Sequence, residues 1–220
     1  MVPGGRPLRH DEAQRAAMAA NLARFEQADP QADPQAATAH GTALRRAAVC
    51  LIVSDDGEGG ATLVLTRRAA KLNAHAGQWA LPGGRMEAGE TPQQAALREA
   101  REEIHLELDA DAVLGRLDDY PTRSGYLITP VVAWAPRGAA MRPNPDEVAH
   151  IFRIPLALLR ADKPEFFNIP ESDNPVIRYP LEGKYVHAPT AAVMYQFMEV
   201  VVEGRSTRVA HLEQPVWAWK

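Results

Sequence analysis

Gly84-Arg85-Met86-Glu87-Ala88-Gly89-Glu90-Thr91-Pro92-Gln93-Gln94-Ala95-Ala96-Leu97-Arg98-Glu99-Ala100-Arg101-Glu102-Glu103-Ile104-His105-Leu106 is the stretch on which the fold of this chain turns. Its second half predicts a helix. Thr91 suits the N-cap, and Pro92 falls at the first helical position, where its missing N–H costs nothing. Gln94 falls at N3 and completes a Thr-x-x-Gln capping box. The run from Gln93 to Ile104 consists of strong helix formers. Ala96, Ala100 and Ile104 can face a core, with Leu97 beside them, which leaves Arg98, Glu99, Glu102 and Glu103 on or near the open side.

Glu99, Glu102 and Glu103 stand at i, i+3 and i+4, so the helix puts three carboxylates on one face. Like charges at that spacing repel. A solvated face with Arg98 paired to Glu102 is one way to accommodate them. A hard divalent cation such as Mg²⁺, which takes oxygen ligands, is the other. Just upstream, Leu81-Pro82-Gly83-Gly84 is a turn at which backbone can approach a phosphate. A glycine turn feeding a carboxylate-rich helix points to metal-assisted chemistry on a phosphate ester or anhydride.

The rest of the chain sets the frame. Its 220 residues suit one domain with additions and a substantial core. A hydrophobic share of 46% and a charged share of 24% are ordinary for a globule. Net charge is −4 and the pI about 6.0, which gives no support for general nucleic-acid binding. The single cysteine, Cys50, rules out an internal disulfide; it sits in the apolar run Ala47 to Val53 and reads as core filler. No apolar stretch approaches a membrane span and the N-terminus lacks a secretory hydrophobic region, so the expected location is cytoplasmic, with no membrane partner.

The pattern predicts a helix over 10–28 and a linker over 29–42, with the main domain following from 43 to 220. Strands are expected at 44–54, 61–67, 79–81, 111–119, 126–135 and 146–154, a short helix at 156–160, a hairpin over 175–187 turning at Glu182-Gly183, and a closing helix over 190–203. Strands and helices mixed without a regular βαβ repeat imply an α+β protein, an α/β/α sandwich on a mixed sheet.

The segment from Gly84 to Leu106 resembles the Nudix box, G-x5-E-x7-R-E-U-x-E-E-x-G-U, where U is apolar. Gly84, Glu90, Arg98, Glu99, Ala100, Glu102, Glu103 and Leu106 match it. His105 stands where the family has its second glycine, a position after the helix that often needs a left-handed backbone; His tolerates positive φ better than most residues. The resemblance implies hydrolysis of a nucleoside diphosphate linked to another group. It implies Mg²⁺ or Mn²⁺ held by Glu99, Glu102 and Glu103 with the Gly84 carbonyl. Arg98 would pair with Glu90 to hold the geometry, and a general base would be drawn from Glu102, Glu103 or Glu147.

A narrower resemblance, to the coenzyme A pyrophosphatase branch, rests on Leu65, Thr66, Arg68, Ala69, Gly77, Pro82, Gly83 and Gly84. Asn73 and Leu81 replace that branch's arginine and phenylalanine, and His187-Ala188 replaces its Trp-Gly pair. The implied substrate is coenzyme A or an acyl derivative, with Arg67, Arg68, Gly83, Gly84, Arg85 and His75 as candidate contacts. Another nucleoside diphosphate derivative (ADP-ribose, a dinucleotide, a nucleoside triphosphate) and a non-catalytic nucleotide-binding module stay open. His187 and Trp79 are further candidate contacts. Trp217 and Trp219 suit either docking of the tail or a homodimer contact.

Overall fold

The computed structural model describes residues 7–28, 38–39, 42–70 and 77–218. His75, Asn73, Trp219 and most of the expected linker lie outside the described residues. In chain order the elements are α1 (Glu12–Arg24), β1 (Thr38–Ala39), β2 (Thr42–Ala43), β3 (Arg45–Asp55), β4 (Ala61–Arg68), β5 (Trp79–Ala80), β6 (Gly83–Arg85), α2 (Pro92–Ile104), β7 (Val113–Arg116), β8 (Tyr120–Pro121), β9 (Tyr126–Trp134), β10 (Val148–Pro155), α3 (Leu156–Ala161), β11 (Glu165–Ile169), β12 (Ser172–Leu181), β13 (Lys184–His187) and α4 (Thr190–Gln196).

The main sheet runs β10-β4-β3-β9-β7, with β5 on β4, β6 on β3 and β8 on β9. β3 and β9 pair in parallel while their neighbours pair antiparallel, so the sheet is mixed, as expected. Strand alternation then sorts the core into two layers. Ala48, Cys50 and Ile52 of β3, Val64 of β4, and Val131 and Ala133 of β9 face one way. They meet Ala95, Ala96, Ala100 and Ile104 of α2. Leu51, Val53, Leu63, Leu65, Val132 and Trp134 belong to the other layer, with Met18 and Leu22 of α1 and Ala191 and Met194 of α4. This is an α+β sandwich with a helix layer on each face.

Local chemistry explains the start of α1 and both ends of α2. Asp11 caps α1 by accepting from the Gln14 backbone N–H at 2.8 Å. Thr91 and Gln94 form the expected capping box on α2, an arrangement worth about 1 kcal/mol. His105 ends α2 at φ 50°, in the left-handed region the sequence required of it. Cys50 is buried, with its thiol pushed up to about 12 by desolvation, as befits core filler.

Three expectations are corrected. The strand over 111–119 is only Val113–Arg116, because Ala110–Ala112 forms a 3₁₀ turn and the ladder to β9 slips in register at Leu114. The closing helix leaves α-geometry after Gln196 and continues to Val202 as a π-helical segment. The hairpin of β12 and β13 carries a third strand, β11, giving a separate three-stranded sheet. Pro164 and Pro170 bracket β11 and left it unmarked as a strand in the sequence. No helix among the described residues is long and apolar enough to cross a membrane.

Candidate active site

The site forms where β6 meets the last two turns of α2. β6 is two glycines and an arginine, pairing Gly83 with Val49, Gly84 with Ala48 and Arg85 with Ala47. A Cβ on Gly84 would lie 2.7 Å from Glu99 Cδ and 2.9 Å from its Oε2. A Cβ on Gly83 would lie 2.7 Å from Val49 Cα. Close approach of backbone therefore demands glycine at 83, while any side chain at 84 would push the Glu99 carboxylate aside. The Gly83 N–H donates to Glu103 Oε2 at 3.3 Å.

Arg98 organises the carboxylates. Its Nε donates to Glu90 Oε1 at 2.8 Å, and its Nη2 donates to Glu90 Oε2 at 3.1 Å and to the Arg85 carbonyl at 3.0 Å. Its Nη1 donates to Glu99 Oε1 at 2.9 Å and Glu102 Oε2 at 3.0 Å. Glu90 also accepts from the Glu87 backbone N–H at 2.7 Å. Those bonds, the Arg98 ones foremost, hold Glu90 below the usual carboxylate range and push Arg98 up. One guanidinium thus ties the loop, the glycine strand and the helix together, a bidentate geometry lysine cannot supply.

The open acidic face expected of α2 is corrected. Glu102 is on the open side, but Glu99 is 9% exposed and Glu103 3%. The reason is tertiary: β6 lies across their end of the helix. Burial raises the pKa of Glu99 in spite of Arg98. Burial, then the charge of Glu99, pushes Glu103 up to about 8. Glu147, partly exposed just ahead of β10, raises both by charge, so its carboxylate belongs to the same cluster. Its backbone is held by its own N–H to Asn144 O at 3.0 Å and by the Ala69 N–H to its carbonyl at 2.8 Å. Arg68 lies close enough to Glu103 to offset part of its rise, and the Arg68 Nε is buried without a hydrogen-bond partner among the described residues.

The fit to a metal can be judged on these donors. Glu99, Glu102, Glu103 and Glu147 are all hard oxygen ligands, the set that Mg²⁺ and Mn²⁺ prefer. Arg98 engages one oxygen each of Glu99 and Glu102, so each keeps a second for a cation. No closed cage of three acidic, His or Cys groups stands ready among the described residues. The donors fit in kind, and Arg98 holds two of them in place.

A cavity of about 510 Å³ opens on the other side of β6. Gly83, Gly84, Arg67, Arg68 and Arg85 all line it, which brings five of the six candidate substrate contacts to one space; the sixth, His75, lies outside the described residues. Arg67 donates from Nε to Gly77 O at 3.0 Å and lies 5.6 Å from the centre of the Trp79 ring. Trp79 also packs on Phe152 at 4.5 Å. Arg85 donates from Nε to the Tyr126 hydroxyl at 2.8 Å. Tyr126, Lys184, Tyr185 and Trp217 also line it and are not among the substrate contacts the sequence offers. Of the last wall, the sequence offers His187 as a substrate contact and Trp217 as a tail or dimer contact. They arrive by the start of β9, by the β12–β13 hairpin and by the C-terminal segment.

With this geometry in hand, the comparisons are specific. The NUDIX domain family model matches residues 43–173, more than half of the chain. The chain is 46% identical over 97 residues to a Photorhabdus laumondii protein named uncharacterized Nudix hydrolase NudL, covering 44% of this chain and 52% of that protein. It is 37% identical over 136 residues to the protein of the same name from Yersinia enterocolitica, covering 61% of this chain and 66% of that one. The matches span about half to two thirds of the length of these relatives. Among solved structures, the Nudix hydrolase RenU from M. smegmatis is 24% identical, covering 72% of this chain and 86% of that chain, with a TM-score of 0.46. The bifunctional NMN adenylyltransferase/ADP ribose pyrophosphatase of Francisella tularensis, complexed with AMP and a Mn ion, is 24% identical over 54% of this chain and 36% of that chain, with a TM-score of 0.43. The family match takes in the glycine strand, the capped helix and the loop carboxylate whose contacts are given above, and the chain belongs to the Nudix family.

Proposed function

We propose that this chain is a metal-dependent pyrophosphohydrolase that cleaves the diphosphate of coenzyme A or an acyl-coenzyme A. The products are 3′,5′-ADP and 4′-phosphopantetheine or its acylated form. One observation carries the chemistry: two buried, mutually repelling carboxylates, Glu99 and Glu103, stand beside a glycine strand that also walls a cavity lined by cationic side chains. Buried charge without compensation is costly, and the Glu102 and Glu147 carboxylates add to the negative field. Glu99, Glu102 and Glu103, with the Gly84 carbonyl, would hold the Mg²⁺ or Mn²⁺. A cation held there would supply charge neutralisation at the diphosphate and activation of a water.

The chain's own groups do the rest. Arg68, Arg67 and Arg85 on the cavity wall pair with the phosphates, and the two glycines let backbone come within contact of them. Water adds to one phosphorus, and the bond from that phosphorus to the bridging oxygen breaks. Glu147, on its loop beside the cluster, accepts the water's proton; Glu102 and Glu103 are the other carboxylates within the same cluster. Arg98 keeps Glu99 and Glu102 in place through the reaction, a positioning role.

The preference for coenzyme A rests on the run from Leu65 to Gly84. Its departure at Leu81 is less telling than it looks in sequence, because Leu81 is 5% exposed and packs in the core. A phenylalanine there would change packing, not a substrate contact. Asn73 in place of arginine favours the second reading, the same chemistry on another nucleoside diphosphate derivative. A hydrolysis screen with Mg²⁺ and Mn²⁺, resolved by chromatography, tests both. The panel is coenzyme A, acetyl-coenzyme A, ADP-ribose, NADH, diadenosine polyphosphates and nucleoside triphosphates. Release of 3′,5′-ADP from coenzyme A is the expected result. Cleavage of another member with coenzyme A left intact selects the second reading, and no cleavage at all would leave a nucleotide-binding module.

A further inference from the structure

The last wall of the cavity lies beyond the family match. Tyr185 and His187 come from β13, and Trp217 comes from the C-terminal segment. The C-terminal segment is fastened before it reaches the cavity. The Tyr120 hydroxyl donates to the Leu212 carbonyl at 2.7 Å, Glu213 forms an ion pair with Arg123, and Glu213 bridges to Val176 of β12. Trp217 is thereby delivered to the cavity, yet it is 53% exposed, an indole placed on a wall and left uncovered. Its ring meets that of His187 at 5.1 Å between centroids and 84° between planes. Two rings set square to each other form a corner. A planar ring that stacks flat on one meets the other edge-on, and both are favourable aromatic geometries.

The surroundings narrow what belongs in that corner. Burial, then the Arg178 charge, holds the His187 imidazole below its usual range, so it is neutral at pH 7 and offers one donor and one acceptor. Lys184 lines the same cavity, and Arg178 lies 3.8 Å from the centre of the Tyr185 ring. A flat, neutral ring with donors and acceptors on its edge, joined to an anion, matches every one of these features. An aliphatic amide arm would use none of the aromatic ones.

We infer that Trp217 and His187 form the nucleobase subsite of this cavity, holding the adenine ring of the substrate by stacking while the diphosphate lies along Gly83 and Gly84. This rests on the nucleotide-diphosphate reading above and adds the place of the base to it. Specificity for the nucleotide half then comes from the hairpin and the C-terminal segment, and not from the family core.

The test is equilibrium binding by calorimetry, with AMP as the base-bearing probe and inorganic pyrophosphate as the base-free one, on wild type, Trp217→Ala, Trp217→Phe and His187→Ala. AMP binding is expected to weaken about tenfold in Trp217→Ala, equivalent to about 1.4 kcal/mol. It should weaken by no more than about threefold in Trp217→Phe, since stacking tolerates a smaller ring. His187→Ala should fall between, and pyrophosphate binding should not change in any variant. Unchanged AMP binding in Trp217→Ala overturns the inference, as does an equal loss of pyrophosphate, which would mean the tail merely braces the cavity. Because binding is read without turnover, the outcome is separable from the hydrolysis screen: cleavage with no Trp217 dependence sinks only the subsite, whereas Trp217-dependent AMP binding without cleavage sinks only the enzyme reading.

Discussion

The carboxylate cluster at β6 and the far wall of the cavity are built differently. In the cluster, Glu99, Glu102, Glu103 and their organiser Arg98 all lie on one helix, and the glycine that donates to Glu103 is 20 positions away. At the far wall, Trp217 and His187 sit on segments 30 positions apart, brought together through a tail fastened to Tyr120, Arg123 and Val176. The first resists charge: burial and then the neighbouring Glu99 push the pKa of Glu103 up to about 8. The second is close to neutral stacking surface. Chemistry that must polarise a phosphorus needs the first kind of environment, and recognition of a base needs the second. On the reading proposed here, the tail and hairpin can change, and the substrate with them, without disturbing the carboxylate helix.

That contrast makes unequal demands on mutation. The largest effect is expected from Glu103→Gln or Glu99→Gln, each of which removes a ligand oxygen charge while preserving shape. Either should cut hydrolysis on the order of 10³-fold, because a metal contributes several kcal/mol of transition-state stabilisation. The circular dichroism spectrum should stay native, and turnover within threefold of wild type in both variants would remove the metal assignment. Next is Gly84→Ala. Its Cβ would collide with the Glu99 carboxylate, so about a 10²-fold loss is expected with the fold retained, a shift of about 1 Å being enough for that. Full activity in Gly84→Ala would show that Glu99 is free to move and that the corner is looser than drawn.

A smaller effect is thermodynamic. Glu103 in the folded protein has a pKa of about 8, above the roughly 4.3 of an unfolded glutamate. Between those values the folded state binds the extra proton, so its contribution to stability is fully present below the unfolded pKa and is lost as pH rises through about 8. Asp55, Asp56, Glu90 and Glu213, whose pKa values are depressed, have finished ionising below this window. His10 and His187, held below the usual imidazole range by burial, act in the opposite direction. The measurement is therefore a difference: the Tm of metal-free wild type should fall relative to that of Glu103→Gln as pH goes from 5.5 to 8.5, and added Mg²⁺ should restore it. Parallel Tm profiles for the two proteins would mean Glu103 is ionised and compensated without metal. The Trp217 substitutions rank last in size, since stacking on an exposed ring is worth about one such step of tenfold.

How much of this could be read before the fold was known follows from the range of each interaction. The capping box at Thr91, the left-handed His105, the shared face of Glu99, Glu102 and Glu103, and the Arg98–Glu90 pair all depend on contacts within one helix or its adjoining loop. A 3.6-residue repeat and cap chemistry specify those contacts locally. The mixed sheet was legible in kind because alternating apolar strands must bury one face or both. What the residues could not announce was burial. Glu99 and Glu103 look like a solvated face until β6 lies across them, and Leu81 looks like a lost substrate contact until it is seen in the core. Nor could they announce β11, bracketed by Pro164 and Pro170, or the meeting of Trp217 with His187. Those depend on pairings between segments far apart in the chain, where no local period or cap carries a signal. Local chemistry thus wrote the carboxylate cluster into nearby residues of one loop and helix, while only long-range packing decided how deeply its acids are buried and which aromatic rings line the cavity on the other side of β6.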